Sequence, residues 1–166
     1  AETRCDGDAF CFDLNPALGE GPRCIPIAYD CPPQWTVIDL NAHHENNAWI
    51  YQGNLARAEP PLEQHGGCNC SGSATGANDL FSFTAPRTGV YNFATSGVEG
   101  DTILWLRTAC EMPQPAFELA CNDDRIDVFS GFSVELEAQQ TYYVFVDAFG
   151  IEGRSEYELT IQEPRQ

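Results

Sequence analysis

The chain has no lysine. Its eight basic side chains are all arginine, they stand against 25 Asp and Glu, and the formal net charge is −17. Without lysine there is no Schiff-base chemistry and no phosphate-loop ammonium. So acidic a surface repels a phosphate backbone and an anionic bilayer. That argues against nucleic acid and for divalent cations, basic partners or neutral polymers. The same charge also serves plain solubility in a salty or calcium-bearing medium. Long apolar runs are missing too. Nothing approaches the roughly 20 consecutive apolar residues of a membrane-spanning helix, so no membrane insertion by a helix is expected. Imidazole is scarce, with only His43, His44 and His65. There is no Gly-x-Ser-x-Gly and no His-Glu-x-x-His, and AHHENN (42–47) lacks the second imidazole one helical turn on. Carboxylate pairs, the machinery of glycoside hydrolysis, carry no information where acidic residues are everywhere. The expectation is a protein that is not an enzyme.

What is present is a foldable core and many cysteines. Hydrophobic residues make up 43% of the 166 and aromatics 11%, which excludes wholesale disorder. A chain of this length buries roughly 70% of its unfolded surface as one ordinary domain. The cysteines are Cys5, Cys11, Cys24, Cys31, Cys68, Cys70, Cys110 and Cys121, most of them among Gly, Pro, Asp and Asn. An even number in turn-rich surroundings reads as four disulfides formed in an oxidising compartment. Zinc is the rival, with Cys68-x-Cys70 and His65 as ligands. No Cys-x-x-Cys pair accompanies them, so the spacing favours disulfides. The first residues, Ala-Glu-Thr-Arg, fit a mature terminus left by cleavage behind a small residue. Secretion to the extracellular space follows as an expectation.

Two textures divide the chain. Residues 1–33 are a Cys-rich, Gly- and Pro-dense segment with no sustained period, expected to be a disulfide-stapled loop segment. Residues 34–166 are a succession of short β runs at 34–40, 48–55, 79–85, 89–95, 101–108, 116–121, 131–137, 141–149 and 155–162, with a Pro-, Gly- and Ser-rich loop at 56–78. Phe132, Val134 and Leu136 alternate with Ser133, Glu135 and Glu137; Tyr157, Leu159 and Ile161 alternate with Glu156, Glu158 and Thr160. The fold class is therefore all-β: an antiparallel, jelly-roll-like β-sandwich of about eight to nine strands. TYYVFVDAF (141–149) is apolar on both faces and belongs in a sheet centre; the charged face of SEYELTIQ (155–162) would protect an edge. Cys110 and Cys121 flank a turn between two runs, and a hairpin that brought their Cα atoms to about 4.4–6.8 Å would pair them.

The stretches DLFSFTAP (79–86), TGVYNF (88–93), GDTILWLRTAC (100–110), LACNDD (119–124), LEAQQTYYVFVDAFG (136–150) and YELTI (157–161) resemble the bacterial pre-peptidase C-terminal (PPC) domain. The likeness extends back through WIYQGNLA (49–56), so it spans about residues 49–162. It implies a jelly-roll-like sandwich exported by bacteria. Such modules are mostly non-catalytic appendages of secreted peptidases, some of which bind calcium or insoluble polymers such as collagen. The chain departs from that pattern in having no peptidase domain and in carrying the Cys-rich segment at its start.

Two constellations stand out as sites. Asp101, Asn122, Asp123, Asp124, Asp127 and Asp147 lie at strand ends or in turns, where hard oxygen ligands suit calcium. The same residue types cap turns without any ion, and the sequence leaves both readings standing. Asp6, Asp8 and Asp13 form a weaker group that lacks the glycine and bidentate Glu of an EF-hand loop, and reads as a solvated acidic loop. Trp49 and Tyr51, two apart on one strand, share a face that either stacks on a glycan or protein polymer or fills the core, the core being favoured. The expected function is that of a secreted, non-catalytic structural or adhesive protein: a subunit of an extracellular matrix, a surface or a self-associating filament. A polymer-binding targeting module, calcium-dependent or not, is the alternative.

Overall fold

The computed structural model describes residues 9–12, 23–26, 31, 33, 35–55, 78–99, 101–110, 118–125, 128–149 and 156–164. By its contacts the chain divides into two compact units, Ala1–Asp30 and Cys31–Gln166. In the first, strands β1 (Ala9–Phe12) and β2 (Arg23–Pro26) pair antiparallel, with Cys11 opposite Cys24. Four residues per strand are too few to register as a period-2 run, which is why the sequence pattern did not announce this hairpin.

The second unit is a two-layer β-sandwich. Its strands are β3 (Val37–Asp39), β4 (His44–Glu45), β5 (Ala48–Asn54), β6 (Asn78–Thr84), β7 (Gly89–Glu99), β8 (Thr102–Arg107), β9 (Glu118–Asn122), β10 (Gly131–Leu136), β11 (Thr141–Ala148) and β12 (Glu156–Gln162). One sheet runs β10-β7-β12-β5-β4 and the other β3-β6-β11-β8-β9. No α-helix occurs among the described residues, and none of them forms a helix able to cross a membrane. The alternation expected for β10 and β12 is observed. Phe132, Val134, Leu136, Tyr157, Leu159 and Ile161 all face the layer between the sheets, where they meet Phe81, Phe83, Leu104, Leu106, Val144 and Val146.

Three expectations need correction. β12 is no edge strand, because it pairs with β5 on one side and β7 on the other. Its acidic face is simply the wet face of a sheet solvated on one side. The sandwich is not wholly antiparallel either: β3 runs parallel to β6, Val37 opposite Leu80. Finally, Cys110 is bonded to Cys31, with Cα atoms 5.0 Å apart and 79 residues between them in sequence. Cys121 is itself disulfide-bonded, so it is not the partner of Cys110. The register explains why. Cys121 sits opposite Trp105, whereas Cys110 lies beyond Arg107, the last residue of β8.

β11 is the third of five strands in its sheet and is covered on both faces, as its two-sided apolar pattern requires. On the outer face Phe145 stacks flat on Trp105, their ring centroids 5.2 Å apart, and the Arg107 guanidinium lies over the Phe145 ring. Leu80, Ile103 and Cys110 complete this smaller core, and Cys31, Trp35 and Val37 close over it. The disulfide thus fastens the covering segment to the surface it covers.

After β3 the chain leaves one sheet for the other through a 3-10 turn, Leu40–His43, capped by the Asp39 side chain accepting from the Asn41 N–H. Asn41 Nδ2 donates to the Thr84 carbonyl and Asn41 Oδ1 accepts from the Thr84 N–H, both at 2.8 Å. A side-chain amide thereby continues the ladder where β3 stops. β4 then joins the edge of the opposite sheet, and Asn46 and Asn47, with φ of 49° and 64°, make the two-residue turn into β5.

Candidate functional site

At one end of the sandwich, where β8 begins and β9 ends, Asp101, Asp123 and Asp124 converge. Their ligating oxygens all lie within 4.8 Å of one another. A buried hydroxyl network sets these loops. Thr95 Oγ1 is 2.7 Å from Thr102 Oγ1, and the Ser130 N–H donates to Thr95 Oγ1 at 2.9 Å. Ser130 Oγ lies within hydrogen-bonding reach of the carbonyls of Thr102 and Asp123, which share its one proton, tying the residue after Asp101 to Asp123 itself. The Asp101 carbonyl accepts from the Phe149 N–H at 2.9 Å.

Burial pushes the Asp101 carboxyl above its ordinary range, and repulsion from Asp124 and Asp123 pushes it further. Its Oδ1 is buried and makes no hydrogen bond. Crowded carboxylate oxygens with one lacking a donor are what a hard divalent cation accepts. Asp101, Asp123 and Asp124 thus form a donor set that would suit a hard cation such as calcium.

The other residues named from the sequence fall as follows. Asn122 serves its own loop, accepting from the Gly131 N–H at 2.9 Å through Oδ1. Asp147 lies outside the cluster: it is buried on β11 opposite Ile103, on the face that Phe145 occupies. Asp127, Asp6, Asp8, Asp13, His65, Cys5, Cys68 and Cys70 lie outside the described residues. The aromatic pair follows the core alternative favoured from the sequence. Trp49 and Tyr51 share a face, but it points inward. Trp49 is 3% exposed, packed edge-on against Phe83 with centroids 4.8 Å apart, and Tyr51 is half-buried against Phe81. The Trp49 ring is therefore not available for stacking on a polymer.

The two described histidines both make ring contacts. His43 meets Tyr51 edge-on; His44 lies against Trp49 and its Nε2 is 2.8 Å from Glu163 Oε1. Glu163 also accepts from Arg87 Nη2, beside a cleft lined by Asn46, Asn47, Gln162 and Pro164. Among the described residues no serine or cysteine is hydrogen-bonded to either imidazole.

Sequence reasoning missed a second polar cluster. Tyr157 of one sheet donates to Asp79 Oδ2 of the other at 2.5 Å. Burial raises the Asp79 carboxyl, a shift that the Tyr157 bond partly offsets. Burial and the Asp79 charge together raise the Tyr157 phenol strongly. An acidic residue at the start of a strand gives no sign that it reaches across a sandwich.

No family model and no curated protein matches the chain. Among solved structures it is similar to the pre-peptidase C-terminal domain of a collagenase from Bacillus anthracis, determined at 1.0 Å. The alignment covers 80% of this chain and 99% of that one, at 12% identity and a TM-score of 0.49.

Proposed function

We propose that this chain is a non-catalytic structural or adhesive module of the extracellular space, one that self-associates and holds calcium at Asp101, Asp123 and Asp124. The observation that carries the proposal is the meeting of these three carboxylates at one end of a disulfide-bonded sandwich. Calcium there removes their mutual repulsion and ties the loop before β8 to the loop after β9. The ring contacts of His43 and His44, with no serine or cysteine hydrogen-bonded to either among the described residues, are consistent with a non-catalytic role. The burial of Trp49 favours assembly over polymer capture through that ring.

The charge arrangement gives the test its sign. The Asp101 carboxyl is raised in the folded state, so its favourable contribution is full at acid pH and lost as pH rises through the shifted value. In chelator, therefore, the melting temperature should rise as pH falls through the raised Asp101 value toward the ordinary carboxylate range. Calcium binds the ionised form, so in calcium the trend should reverse. Asp124→Asn should raise the melting temperature in chelator at neutral pH and abolish the calcium-induced increase. If the wild type shows no calcium-induced increase, or Asp124→Asn destabilises in chelator, the three residues are turn caps and the calcium reading fails.

A further inference from the structure

We propose that residues 31–45 are an exchangeable strap through which this chain joins a second copy of itself, Cys31 of one copy bonding to Cys110 of the other. The inference rests on the self-association reading above and supplies its joint.

The strap closes one side of the sandwich by itself: β3 is the edge of one sheet and β4 the edge of the other. Between them Leu40 is fully buried in the inter-sheet core. Every anchor is a contact between the strap and the rest of the unit. β3 pairs three residues with β6, Asn41 grips the Thr84 backbone, His44 meets Glu163, and Cys31 is bonded to Cys110. None of them requires both partners to belong to one chain, so a neighbour's strap satisfies them equally.

The hinge favours exchange. Asn46 and Asn47 both sit at positive φ, a region that asparagine tolerates better than other side-chain-bearing residues but less well than glycine, in a turn only two residues long. Opening it into extended backbone relieves both residues and fuses β4 and β5 into one strand. Short strained hinges next to an edge element are what domain swapping exploits. Withdrawal of the strap leaves β6 with an unpaired edge, which a second strap covers by strand addition. Reciprocal exchange closes a dimer, whereas passing the strap onward around no closed ring builds a filament.

The lock is an ordinary oxidation. The Cys31 thiol of one chain and the Cys110 thiol of the next lose two protons and two electrons, and a small-molecule disulfide takes them up to become two thiols.

The test uses the wild-type chain. Equal amounts of isotopically labelled and unlabelled protein are reduced, unfolded together and refolded in calcium with a small-molecule thiol–disulfide pair. Oligomer and monomer are separated by size and digested without reduction, and the Cys31–Cys110 peptides are weighed. In the oligomer about half of those peptides should join a labelled to an unlabelled partner, as random exchange requires, and in the monomer none should. Asn47→Gly, which suits the tight turn, should lower the oligomer fraction, and Asn47→Pro, which cannot adopt positive φ, should raise it. Oligomers whose Cys31–Cys110 peptides are all unmixed overturn the strap but leave self-association standing. Monomer alone under every condition overturns both.

Discussion

Gly53→Ala should be among the most damaging single-methyl changes in the sandwich, costing about 3–5 kcal/mol. Gly53 of β5 lies directly opposite Tyr157 of β12, and the phenol ring crosses the glycine so closely that an added Cβ would occupy the space of its Cζ and Cε1 atoms. This is the pairing in which an aromatic ring shields a strand glycine. The backbone partners cannot separate without breaking the ladder, so the ring must leave. A phenol that is 2% exposed is then expelled from the inter-sheet core. Its hydrogen bond to Asp79, which joins the two sheets, is lost, and a half-buried carboxylate is left short of a donor. Tyr157→Phe keeps the ring and removes only the hydroxyl, so it should cost about 1.5–3 kcal/mol, the range for a hydrogen bond to a charged group. Urea unfolding of the three proteins checks the order. Gly53→Ala at or above the stability of Tyr157→Phe would mean that the ring does not rest on the glycine.

Removing the Cys31–Cys110 disulfide should have a comparable effect by another route. The bond closes a loop spanning 79 residues in sequence, for which the chain-entropy model gives about 4 kcal/mol. It also fastens the segment carrying Trp35 and Val37 over Trp105 and Phe145, so its loss loosens the cover of a sheet face that is apolar. The Cys31→Ala/Cys110→Ala double variant should melt about 10 °C lower, at the few degrees per kcal/mol usual for this size. It should also bind a hydrophobic dye and show red-shifted tryptophan emission below its melting temperature. A lower melting temperature without dye binding would confine the disulfide's role to the unfolded chain. An unchanged melting temperature would contradict the whole account of the cover.

Local pattern made much of this fold legible. TYYVFVDAF reads as central because both its faces are apolar, and β11 is central. The alternations in β10 and β12 assign their inner faces correctly, since one period-2 strand decides its own orientation once one face is buried. What failed was non-local. The acidic face of β12 looks the same at an edge as on the wet side of a sheet, and only pairing partners distinguish them. The parallel seat of β3 on β6 and the Cys31–Cys110 bond join residues far apart in sequence, which no local spacing encodes. Trp49 and Tyr51 share a face in either reading, and the alternation does not say whether that face is wet. The acidic site was half legible. Residue type pointed to Asp101, Asp123 and Asp124, but the same argument drew in Asp147, which β11 turns into the face of Phe145. The hydroxyls of Thr95, Thr102 and Ser130 that hold the site carry no sequence signature beyond their ordinary place on strands.

The proposed self-association and its proposed dependence on calcium are tested together by measuring mass and shape in solution. Light scattering and negative-stain microscopy of the full chain, first in calcium and then after chelation, should give regular assemblies that shorten or dissolve when calcium is withdrawn. Assemblies indifferent to chelation would separate the joint from the acidic loops. A compact monomer in both conditions would contradict the assembly reading outright.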